Sequence, residues 1–164
     1  MKKVLRYTAL FLLGALIIIQ FFRPEKNKED GEAVNHISKA YIIPEDVNTI
    51  LKKPCYDCHS NNTRYPWYAN IQPVAWWLAD HIKDAKKELN FSEFASYNQR
   101  RQYRKMEEVI DEMKEGGMPL NSYTWIHKNA RLTDDEKNKM IGWADSIRDT
   151  LKARYPIDSL IRKK

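Results

Sequence analysis

Cysteine is scarce in this chain of 164 residues: there are two, too few for a disulfide scaffold. Glycine (5) and proline (7) are scarce as well, which excludes collagenous and low-complexity chains. No segment alternates cleanly with period two, so strands are not expected. There are no internal repeats, and no basic stripe either. The formal charge of +6 owes four units to Lys2, Lys3, Arg6 and Arg23, and from Pro24 onward only +2 remains. Without a basic face, nucleic-acid binding loses its electrostatic footprint. Five Trp and nine Tyr in turn argue against general disorder.

One long apolar run is present. Tyr7–Phe22 carries no charge, and Val4, Leu5 and a snorkelling Arg6 extend it to 4–22, near the ~20 residues that span a bilayer. A cleaved signal peptide has the same beginning, but the run closes on Gln20-Phe-Phe-Arg23-Pro24 with no small-x-small exit. An uncleaved anchor over 1–23 is therefore expected. Acidic residues mix with Arg23, Lys26 and Lys28, so flanking charge alone leaves its direction open.

Residues 24–43 read as a polar tether of low order, and 44–155 as the folded domain, with 156–164 a basic tail. Pro44-Glu-Asp opens a short helix with Val47, Ile50 and Leu51 on one face, ended by Pro54. Residues 60–72 read as a loop. Pro73 begins a second helix, with Val74, Trp77, Leu78, His81 and Ile82 on a shared face. Asn98 begins a third with Tyr103, Met106, Ile110 and Met113 inward, stopped by Gly116-Gly117. A loop over 116–132 follows. Thr133-Asp-Asp-Glu136 is a capping box opening a last helix with Met140, Ala144, Ile147 and Leu151 inward. The expected class is all-α.

Both cysteines lie in Cys55-Tyr-Asp-Cys58-His59. This C-x-x-C-H spacing suits covalent haem: each thiol adds to one vinyl group and the adjacent histidine ligates iron. A zinc site would want a second ligand pair, a redox dithiol a βαβ context, and a simple disulfide would leave His59 without a role. One haem c is the expected cofactor. Such attachment occurs outside the bacterial cytoplasm, which places Lys2 and Lys3 inside and the domain in the periplasm of a single-pass inner-membrane protein.

His59 is the expected fifth ligand. For the sixth, Met118 stands on a Gly/Pro-bounded loop from which a thioether can reach iron, with His127 and His81 as competitors. Tyr123 and the aromatic run Tyr65, Pro66, Trp67 and Tyr68 are candidate pocket walls.

The block Cys55–Tyr68 resembles the bacterial haem-binding domain family of small monohaem c-type cytochromes. The likeness continues through Pro73–His81, which adds Pro73 and Trp77 to the pocket candidates. It extends to Leu89–Ser92, Met118-Pro119, Tyr123 with His127, and Leu132–Trp143. The resemblance covers roughly 41–153. It implies a cytochrome c-like helical fold, His59 and Met118 as axial ligands, and packing of the last helix on the helix at 45–53. The function expected is electron carriage between redox proteins of the envelope, without catalysis. The alternatives are a haem sensor or peroxidase-like enzyme with a displaceable sixth ligand, and a structural haem module.

Overall fold

The computed structural model describes residues 1–31 and 33–161; Glu32 and the last three positions of the expected basic tail, 162–164, lie outside the described residues. Its helices are α1 (Lys2–Ile19), α2 (Glu45–Ile50), α3 (Tyr56–His59), α4 (Val74–Glu88), α5 (Gln99–Glu115), α6 (Asn121–Ile126), α7 (Asp134–Arg154) and α8 (Ile157–Leu160). No strand occurs among the described residues, as the absence of alternation implies.

The core forms where the long helices α5 and α7 lie against each other. Tyr103, Met106, Ile110 and Met113 of α5 meet Met140, Ala144, Ile147 and Leu151 of α7, all buried as their spacing requires. Phe91, Phe94, Leu51 and Ile37 complete the cluster. Asn98 caps α5 by accepting from the Arg101 amide at 2.9 Å. Gly116 ends it in the left-handed conformation, φ 73°. The capping box of α7 is formed in both directions: the Thr133 amide donates to Glu136 Oε2 (2.8 Å) and the Glu136 amide to Thr133 Oγ1 (3.2 Å). Lys53 pairs with Glu136 at 3.0 Å, and α7 packs on α2 as the resemblance implied.

Several expectations are corrected. Pro54 does not end the first helix of the domain. The chain passes from α2 through a π-helical turn, Leu51–Cys55, straight into α3. A proline has no amide hydrogen and its ring clashes with the carbonyl four residues back; widening the turn relieves both constraints without breaking the helix. The inward face of α4 is Ala75, Leu78 and Ile82, rotated from the expected one, so Val74 and Trp77 are exposed. The loops at 60–72 and 116–132 each contain short helical turns, including α6.

Residues 24–31 and 33–43 are bound to the domain instead of hanging free. The Asn27 amide donates to Tyr65 Oη (2.7 Å), its side chain donates to the Ser60 carbonyl (2.8 Å) and Thr63 Oγ1 (2.9 Å), and Ile37 is wholly buried. The polar composition that suggests a tether is satisfied here by partners more than thirty residues away. At the other end Leu160 of α8 is buried in the same core, so the domain extends past residue 155.

The apolar run at 4–22 is helical only over Lys2–Ile19, and none of its residues is buried. Those 18 residues include Lys2, Lys3 and Arg6, and no helix among the described residues is long and apolar enough to cross a membrane.

Candidate functional site

The π-helical turn delivers Cys55 to the wall of a cavity of about 260 Å³. His59, one turn further, lines the same cavity, and so does Met118 from the segment after α5. Leu89, Phe91, Val109, Met113, Leu132 and Met140 make the rest of the wall mainly apolar. Exposed Glu88 and half-buried Glu108 mark its opening to solvent. Lys105 also lines it, its ammonium buried and paired with Glu88 (2.9 Å) and Glu108 (2.5 Å).

The tautomer of His59 follows from its partner. Nδ1 lies 2.8 Å from the Leu89 carbonyl, which can only accept, so Nδ1 carries the proton. Burial lowers the pKa of the ring and keeps it neutral. Nε2 is then an unprotonated lone pair on a residue lining the cavity, the state a metal-ligating imidazole requires. Burial also pushes the Cys55 thiol up to about 12 and Cys58 to about 11, and both are free thiols. Met118 is half-buried against the main core. Gly116 supplies the left-handed reversal that turns the chain toward it, and a side chain at Gly117 would run into the Glu112 carboxylate.

The other candidates lie elsewhere. His127 Nε2 is 2.6 Å from Tyr68 Oη, and its ring stacks on Tyr123 at 4.5 Å. His81 is tied through Nδ1 to the Trp77 carbonyl at 2.8 Å and lies against the Trp77 ring. Neither lines the cavity with His59. Nor do Tyr65, Pro66, Trp67, Tyr68, Pro73, Trp77 or Tyr123. Trp67 is 76% exposed, and Tyr65 packs with Cys58, Ala69, Leu78 and Ile82 in a smaller cluster. Cys58 thus faces this second cluster, one turn from Cys55. Tyr65 of the aromatic run packs on the Cys58 side of the motif turn, and the wall is made mainly by α5 and by Leu89 and Phe91. The i, i+4 series Lys105, Val109 and Met113 is the signal that could have revealed it, beside the deeper face of the same helix.

Asp57, inside the motif, was given no role by sequence reasoning. Its buried carboxylate accepts from Arg64 Nε (3.0 Å) and Tyr123 Oη (2.7 Å), while Thr63 Oγ1 donates to its carbonyl (2.7 Å). Burial and this bond raise the Tyr123 pKa, so the phenol stays a donor. The network clamps the motif to the loop after it and to α6.

A neutral histidine, a thiol and a thioether thus lie together on one apolar wall. The sequence profile of the haem-binding domain family matches residues 14–146. The chain belongs to that family. Neither a curated protein nor a solved structure matches it. Membership of the haem-binding domain family accounts for the Cys-x-x-Cys-His motif at a cavity. The matched span also reaches back to residue 14, in keeping with the packing of Asn27 and Ile37 on the domain.

Proposed function

We propose that this haem-binding domain protein is a membrane-tethered, monohaem c-type electron carrier with a cytochrome c-like fold. One observation carries the reading: Cys55, His59 and Met118 line a single apolar cavity, with the His59 lone pair free. Cys55 and Cys58 would hold the haem through thioether bonds, with His59 and Met118 as its axial ligands. Bound haem supplies one-electron iron chemistry. The protein supplies burial, ligation and an opening to solvent beside Glu88 and Glu108. A neutral thioether favours ferrous iron and so raises the potential above that of a bis-histidine site. With His59 and Met118 both bound, the iron would have no position open to a substrate, as carriage without catalysis requires.

The carrier works on the outer side of the bacterial inner membrane, where haem is attached to such motifs, and its partners are redox proteins of the envelope. Support for tethering comes from α1, whose apolar side chains are exposed all round, a composition that belongs in lipid. Lys2, Lys3 and Arg6 fall in its first two turns and reach the interface by their long stems.

The test is to express the full chain with a cytochrome c maturation system and measure its mass under denaturing conditions. A mass increased by one haem is expected. The bare polypeptide mass would refute covalent attachment, and high-spin bands in the oxidised spectrum would refute His/Met ligation.

A further inference from the structure

The end of α1 is locked to the domain by hydrogen bonds, and an exposed aromatic patch lies beside the lock. The Gln20 side chain donates to the Gln72 carbonyl (3.2 Å) and accepts from the Gln72 amide (2.9 Å). The Phe22 carbonyl accepts from Gln72 Nε2 and Trp76 Nε1, both at 2.8 Å. Lys26 reaches Asn70 Oδ1 at 3.1 Å, so residues 20–26 run along residues 70–76. Gln72 itself is 1% exposed. These bonds hold α1 to one end of α4.

At that same end the domain exposes Trp67, Ile71, Val74 and Trp77, flanked by exposed Phe21 and Phe22. Exposed Arg23 follows directly, and Glu25 and Lys26 carry opposite charges beyond it. An apolar helix, then aromatic rings, then charged side chains is the order of a bilayer crossed from hydrocarbon to headgroups, since tryptophan favours the interface.

We infer that the face formed by Trp67, Ile71, Val74 and Trp77 is a lipid-docking surface, seated in the headgroup layer of the membrane. It rests on the reading that α1 lies in lipid. The occupant is the bilayer because Gln20, Phe21 and Phe22 join the patch directly to the exposed apolar surface of α1. The cavity opening at Glu88 lies at the far end of α4, about 20 Å along the helix. Docking therefore fixes the orientation of the domain and keeps that opening toward water, where a partner can reach it.

The full-length protein is placed in nanodiscs of phosphatidylcholine and phosphatidylglycerol, one copy per disc, and probed by hydroxyl-radical footprinting. Trp67 and Trp77 should oxidise several-fold more slowly than Tyr155, which is itself only 41% exposed, although tryptophan is the more reactive ring. The Gln20→Ala variant should keep its disc but lose part of that protection, because Gln20 holds the patch against the lipid without being part of it. Oxidation of Trp67 and Trp77 at the rate of a freely exposed tryptophan, in protein that stays with the discs, overturns docking alone. Protection only in discs with two copies assigns the face to a second copy and also overturns it. Failure of the full-length protein to float with vesicles overturns the tether, and the docking with it.

Discussion

Replacing Tyr123 with Phe tests whether the Asp57 network holds the motif turn. The substitution removes one hydroxyl and keeps the ring, so stacking on His127 at 4.5 Å survives while the 2.7 Å bond to the Asp57 carboxylate is lost. A hydrogen bond to a charged group contributes about 1.5–3 kcal/mol. The Asp57 side chain is only 12% exposed, so little water can replace the donor. Arg64 offsets part of the loss because it keeps its 3.0 Å bond, but at 69% exposure its attraction is screened. Tyr123→Phe should therefore cost about 2 kcal/mol. Asp57→Ala orphans the Tyr123 hydroxyl and should cost a similar amount. The double variant should cost well below the sum, with a coupling of about 1–2 kcal/mol. Urea unfolding of the haem-loaded chain in detergent, followed by far-ultraviolet circular dichroism, gives all three values as midpoint shifts at constant slope. A Tyr123→Phe loss under about 0.5 kcal/mol, or additive variants, would refute the clamp.

Met118→Ala should remove the weak long-wavelength band of sulfur-ligated ferric haem, lower the potential and admit small ligands, as spectra and a redox titration would show. His127→Ala and His81→Ala should leave that band in place. Gly116→Ala puts a Cβ on a residue at φ 73° and should cost about 1–2 kcal/mol in the same unfolding assay, with a weaker Met118 band because the reversal is strained. Glu136→Gln should destabilise the protein at neutral pH. The Thr133 amide and Lys53 hold the Glu136 carboxyl below its ordinary value, so its stabilisation is present above the unfolded value near 4.5 and is lost as pH falls through the folded one. The gap between variant and wild type should then close in acid, and a gap independent of pH would exclude the carboxylate as its source.

Local chemistry was legible in the residues themselves. The capping box at Thr133, the Asn98 cap, the Gly116 stop and the inward faces of α5 and α7 each depend on neighbours within about one helical turn, and each is where its pattern puts it. The family was legible for the same reason, since its motifs are short and ordered. What the fold alone decided is everything that needs two distant segments to meet. His59 gains its tautomer from a carbonyl thirty residues away, and Lys105 has its ammonium buried beside the cavity by ion pairs. The aromatic run at 65–68 ends outside the wall because the faces left for the cavity belong to α5 and Leu89–Phe91. Residues 24–31 have the composition of a tether, yet Asn27 finds four partners on the domain. A polar segment is disordered only when nothing offers hydrogen bonds that repay its ordering, and that offer comes from the tertiary structure.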